Sequence, residues 1–551
     1  MNRLYLCIVA LITFFCGYSQ NATSVKVQKT SFRKDTLSIV QFGAKPDLFL
    51  INTTAINDAI IAMNKKGGGV VLIPSGTWLT GPIVLKTNVN LHIAKNALVV
   101  FTPDFSQYPL VESSFEGVDA ARCKSPISAE NQNNIAITGE GIFDGNGFYW
   151  RPLKKEKLSE SEWKKHLIKY GGALTEDKKT WYPSKAAVDA SVKKDIGKLI
   201  NGKTLADFES IKDFLRPHMV RIANCKRILI ENITLENSPF WTTHILMSED
   251  ISIDGLKVKN PWYGANTDAI DLESCKNVLM ENCVFDTGDD GITIKSGRDE
   301  DGRKRGVPTE NVVVNNCTVY HAHGGFVVGS EMSGGAKNLY VSNCTFIGTD
   351  IGLRFKTIRG RGGVVENIYV KNIQMKNIVG EAILFDMYYA AQDPIVLDGE
   401  NRAPPKVEIL PVTEATPIFR NFFMDNINCD GAAKAVFIRG IPEMPIRNIQ
   451  LTKLTIRADK GIDIQEAQDI RIKNSTIISK DVNPVTYILN SRNIQLEQLK
   501  YSNNTALFLL LQGSRSDKII LNGISTNQAN NFFTTSFGAS ENMVEQIKNK
   551  Q

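Results

Sequence analysis

Three aspartates have the types and spacing for acid–base work. Asp268 lies in Asn266-Thr267-Asp268, and Asp289-Asp290 lies 21 residues on, in Thr287-Gly288-Asp289-Asp290-Gly291. The surrounding stretch repeats with about that period. If each repeat is one turn of a coil, the three carboxylates stack onto one patch of surface. Like charges crowded together are costly, so at least one of the three should keep its proton near neutral pH. A protonated acid beside an ionised base is the pairing that hydrolyses a glycosidic bond.

The elements that must position them are legible as a repeat. Asn277-Val-Leu-Met-Glu-Asn282-Cys283 recurs as Asn311-Val-Val-Val-Asn-Asn316-Cys317 and as Asn338-Leu-Tyr-Val-Ser-Asn343-Cys344. Further copies begin at Asn367 and Asn421, and weaker ones near Asn134, Arg227, Asp250, Asn448, Asp469, Asn493 and Lys518. Each copy alternates apolar and polar residues, the period of a strand with one buried face. Such short strands cannot bury that face alone, so neighbouring turns must stack. Leucine-rich repeats share the period but need a Leu-x-x-Leu-x-Leu frame and a helix, which are missing. The fold class expected is all-β, a single right-handed parallel β-helix, with the repeated asparagines bonded between turns as a ladder.

The 551 residues would suggest several domains, but a solenoid grows without splitting into separate cores. Composition is that of a globular chain, 42% hydrophobic and 22% charged. The net charge of +6 is mild and the basic residues are scattered, which argues against a nucleic-acid partner. Residues 1–19 read as a secretory signal, so the chain is expected to be exported, to the periplasm or the medium, with no membrane span. The expected β-helix domain is 38–537. Thr53 to Asn64 forms a capping helix, a helical insertion occupies about 154–214, and 538–551 is a polar C-terminal tail. Seven cysteines remain after residue 19, an odd number, and Cys283, Cys317 and Cys344 share one phase of the repeat. They read as small buried core residues, and no metal-ligand spacing occurs.

With these residues in place, the chain resembles the polygalacturonase family of glycoside hydrolases, family 28, which has the pectin-lyase-like solenoid. The likeness rests on four motifs in order: Asn266-Thr-Asp268, Asp289-Asp290, His323-Gly324 and Arg354-Phe-Lys356, after a family-like start at Phe42-Gly-Ala-Lys45. It implies that Asp289 is the general acid, that Asp268 and Asp290 hold and deprotonate the attacking water, and that the anomeric carbon inverts. His323 would tune the acid. Ala322 replaces the usual glycine of that motif, which makes His321 a rival. Arg354 and Lys356, alternate residues on one strand, would grip the carboxylate of a galacturonate unit. Asn266 and His244 would also touch sugar. No cofactor or metal is implied, and the oligomeric state is left open.

The substrate implied is an acidic polysaccharide, pectin or homogalacturonan oligosaccharides. The loop after Lys295, together with the 154–214 insertion, would wall off one end of a groove. The wording of that loop and of Gly329-Ser-Glu-Met-Ser-Gly-Gly335 resembles the exo-acting bacterial branch. Rival readings are a family member acting on rhamnogalacturonan or xylogalacturonan, a calcium-dependent pectate lyase, and a non-catalytic carbohydrate-binding β-helix.

Overall fold

The computed structural model describes residues 25–389 and 408–547, so the expected signal at 1–19 lies outside the described residues. The repeat becomes a right-handed parallel β-helix with two long parallel sheets, of 24 and 14 strands. Each copy of the repeat pairs with the next copy in the same phase. One inward position therefore runs through Ile135, Ile228, Ile251, Val278, Val312, Leu339, Ile368 and Phe422 as a continuous column. Every residue of the column is buried to 1% exposure or less. Each such side chain contributes about 1.5–3 kcal/mol on burial, which is why a one-residue slip of register is excluded.

The asparagines sit near the start of the strands of the larger sheet. Asn277, Asn311, Asn338, Asn367 and Asn421 adopt φ between 56° and 63°, a left-handed conformation that asparagine tolerates better than most residues. Each amide donates to the carboxamide oxygen one turn earlier: Asn311 to Asn277 at 3.1 Å, Asn338 to Asn311 at 3.1 Å and Asn367 to Asn338 at 3.3 Å. Cys283, Cys317 and Cys344 each follow a second asparagine of the repeat, and all seven cysteines in the described residues are free and buried.

The smaller of the two sheets carries the acidic motifs. Its strands near them are β1 (Val220–Ala223), β2 (Thr243–Leu246), β3 (Ile270–Glu273), β4 (Ile292–Lys295), β5 (Gly324–Val328) and β6 (Ile351–Lys356). Their parallel register aligns Arg221, His244, Asp271, Thr293, Val327 and Arg354 in one row.

Helix Thr53–Lys65 closes the N-terminal end, burying Ile56, Ala59, Ile60 and Met63. Between residues 154 and 214 the chain leaves the coil. Helix Glu160–Tyr170 there starts from a capping box of Ser159 and Glu162, and helix Lys185–Ser191 follows. An antiparallel hairpin, Leu110–Phe115 with Val118–Cys123, was not expected from the sequence. Nor does the chain become a loose polar tail at Phe537. Val544–Ile547 pairs with Ile519–Asn522 and adds a last strand to the larger sheet, because an open sheet edge gains its hydrogen bonds that way. No helix among the described residues is long and apolar enough to cross a membrane.

Candidate active site

The acidic residues sit at the turns that enter β3 and β4 and His323 at the turn that enters β5, and the backbone stacks those turns. The amide of Thr242 donates to Asp268 O at 2.7 Å, that of Ala269 to Asp290 O at 3.0 Å, and that of His323 to Asp289 O at 3.0 Å. Asn260, which the sequence did not flag, pins the same corner by donating to Thr242 Oγ1, Thr267 O and Thr287 Oγ1. The result is the patch that the 21-residue step called for. One carboxylate oxygen from each of Asp268, Asp289 and Asp290 lies within 4.8 Å of the others.

The three carboxyls have different surroundings. Asp290 is 2% exposed and receives Lys356 Nζ at 2.7 Å and Arg354 Nη1 at 3.3 Å. Burial pushes its pKa up, but the two cations more than offset this and hold it well below the usual carboxylate range. Asp268 is 3% exposed, and its nearest cation, Lys295 Nζ, stands off at 3.9 Å. Burial first, then the charges of Asp289 and Asp271, raise it well above the ordinary value. Asp289 is the more open member, accepting from the Asp290 amide at 2.9 Å and facing His323 Nδ1 at 3.1 Å. The hydrogen bond to Asp289 raises the pKa of His323, whose Nε2 is 3.7 Å from Asp350. The crowding expectation thus holds for the patch, but the carboxyl it raises is Asp268, whereas the residue expected to be the acid is Asp289.

Beneath the patch lies a second layer that the motifs did not reveal. Lys295 Nζ is 3.5 Å from Asp271 and 3.2 Å from Glu331, and 4.2 Å above the Trp241 ring. Asp271 is fully buried, and burial carries its pKa to about 8 despite Lys295. Asp271 and Glu273 alternate along β3, and Thr293 and Lys295 along β4, as Arg354 and Lys356 do along β6. The alternation that singled out the last pair contained the signal for Lys295.

Three expected contacts differ. His244 is fully buried, not a sugar contact. Its Nε2 lies 2.9 Å from Glu273, and Trp241 and His218 pack against its ring. Arg354 and Lys356 are directed at Asp290, so both cations are engaged within the protein rather than open to a sugar carboxylate. Asn266 adopts φ 55° and its carboxamide oxygen accepts from Arg216 at 2.9 Å. His321 faces away from the patch, to Asp286 at 2.9 Å, which leaves His323 as the histidine beside the acids. The aspartate trio offers three oxygens to a cation, but Lys356, Arg354 and Lys295 already supply the compensating charge.

A coil of parallel strands that brings a partly exposed carboxyl, an ionised carboxyl and a histidine together on one face is the framework of a β-helical glycoside hydrolase. The model of the glycosyl hydrolases family 28 matches residues 202–413, the segment that holds all four motifs. The chain is 28% identical over 451 residues to a probable polygalacturonase of Vitis vinifera, covering 80% of this chain and 78% of the relative. It is 27% identical over 383 residues to an exo-poly-alpha-D-galacturonosidase of Dickeya chrysanthemi, covering 68% of this chain and 60% of that relative. The structure of a hyperthermoactive exopolygalacturonase from Thermotoga maritima superposes with a TM-score of 0.63 at 27% identity, over 93% of this chain and 97% of that one.

Proposed function

We propose that this glycoside hydrolase degrades pectin by cleaving α-1,4-linked galacturonic acid, releasing single galacturonate units from chain ends. The observation that carries the reading is the unlike environment of three converging carboxyls. Asp290, ionised by Lys356 and Arg354, takes the proton of the attacking water. Asp268, with its raised pKa, orients that water from the other side. Asp289, the accessible carboxyl beside His323, protonates the leaving oxygen. The names of the Dickeya chrysanthemi and Thermotoga maritima relatives support the exo mode. The hairpin tip suits that mode, since Glu116 meets Arg298 of the loop after Lys295 at 2.7 Å, a tie that would wall off one side of a groove.

The carboxylate oxygens lie closer than the roughly 6.5–9.5 Å usual between inverting carboxyl groups, so inversion rests here on the family resemblance. Proton NMR of the first product decides it, and an initial β-anomer is expected. Polygalacturonate digested for short times should yield the monomer first. Early mixed oligomers would contradict the exo mode, and rhamnogalacturonan as the better substrate would favour the rival family reading. Activity should survive EDTA with no unsaturated product, since a calcium-dependent lyase would fail both tests. Export through residues 1–19, to the periplasm or the medium, is part of this proposal and is read by N-terminal sequencing of the mature protein.

A further inference from the structure

Beside the acid patch lies a group of cations with no carboxylate of their own among the described residues. Arg122 is 5% exposed, and its guanidinium is wedged 4.4 Å from the Phe115 ring and 4.5 Å from the Phe240 ring. Its Nε and Nη2 are buried with no hydrogen-bond partner. Arg216 lies over the same Phe240 ring at 4.7 Å, and its hydrogen bonds go to neutral oxygens, Pro239 O, Ala265 O and Asn266 Oδ1. The acidic residue on the hairpin tip, Glu116, is taken by Arg298. His218, packed on Phe240, adds no counter-charge, and both its ring nitrogens are buried and unpartnered. Burying a guanidinium without an anion is costly, and a structure that does so is complete only when an anion arrives.

The position of these cations says which anion. Arg216 holds Asn266, two residues before Asp268. Phe240 stacks on Trp241 at 5.4 Å, and Lys295 links Trp241 to Asp268. The hairpin that carries Phe115 and Arg122 is also the one tied to the loop after Lys295. Meanwhile Arg354 and Lys356, the expected grip for substrate, are committed to Asp290.

We propose that Arg122 and Arg216, both packed against Phe240, form a carboxylate-binding subsite beside the acid patch that takes the terminal uronate unit. The inference rests on the reading of the substrate as a uronate polymer. A planar fork of donors suits a carboxylate, and the buried Phe240 ring holds both guanidinium groups in place. A neutral or esterified sugar forfeits the charged contact, so the subsite selects for the free acid.

The test compares digalacturonate with its methyl ester, binding to Asp289→Asn protein by calorimetry so that turnover does not interfere. Adding Arg122→Met or Arg216→Met should weaken binding of the free acid about tenfold to a hundredfold, the usual cost of a charge-assisted hydrogen bond. Ester binding should change less than about twofold, because it never used the charge. Arg122→Lys should restore part of the preference for the acid. Equal weakening of acid and ester, or no weakening in a folded variant, would overturn the proposal. Should the methionine variants unfold, Arg122→Lys decides: a folded lysine variant with no acid preference also overturns it. Wild-type turnover of polygalacturonate is measured separately, so a wrong substrate reading is distinguished from a wrong subsite.

Discussion

Asp268 and Asp290 share one buried patch but differ in charge state, because only Asp290 has cations within hydrogen-bonding reach. Asp289 faces His323, whose positive charge is present below its raised pKa and is lost as pH rises through it, and in the proposed mechanism that charge tunes the acid. His323→Gln should therefore remove the alkaline limb of the kcat/KM profile, and an unchanged limb would count against this role. Asp271 gives the opposite kind of test. Between about 3.9, the value of an unfolded aspartate, and the about 8 of the folded state, the folded protein keeps a proton that the unfolded chain has released. Stability from this group is full below the lower value and is lost as pH rises through the upper one. Asp271→Asn should thus raise the melting temperature more at about pH 9 than at about pH 5. A gain that is the same at both would show that Asp271 does not titrate there. The aspartates, His323 and Arg354 were legible because motif and repeat phase named them together. Glu331 and Arg122 were not, since nothing in their local sequence distinguishes a buried cation or carboxylate from a solvated one, and Lys295 was passed over although it alternates with Thr293 as Lys356 does with Arg354. His244 was misread because a histidine on the sheet row nearest the site is covered by Trp241 and His218, which only packing reveals.

Strands and turns set how firmly the patch is held. The asparagine ladder was legible because its period coincides with that of the strands, and its left-handed φ values explain why asparagine recurs there. Asn338→Ala removes two ladder hydrogen bonds and places a β-carbon in the left-handed region, so it should cost about 1–3 kcal/mol in denaturant unfolding. Asn338→Gly should cost less, as it removes the bonds without the strain; an equal loss would contradict the conformational account. The hairpin at Leu110–Cys123 was illegible, its alternation being too weak to stand out from the repeat around it. Its tip is tied to the loop after Lys295 by Glu116 and Arg298. Arg298→Ala should change stability little, an exposed pair being worth about 0.2–1 kcal/mol, yet raise the share of oligomers among early products. An unaltered product profile would mean that the tip does not close the groove.

As a whole the molecule is one long coil whose core columns keep successive turns in register, so the site is fixed by pairings many turns long rather than by a local motif. That is why four motifs spread over about ninety residues of sequence converge. The coil was legible from the repeat, while the covering pieces at 110–123 and 154–214, which shape the groove, had no periodicity to announce their placement. The account stands on Asp289 as the acid of an end-acting galacturonan hydrolase. The most direct test is timed product analysis on polygalacturonate by wild type and Asp289→Asn, with thermal unfolding as the control for folding. The account predicts monogalacturonate as the first product and a loss of kcat of about 10²- to 10⁴-fold in the folded variant. Turnover unchanged by Asp289→Asn, or early oligomers from the wild type, would contradict it.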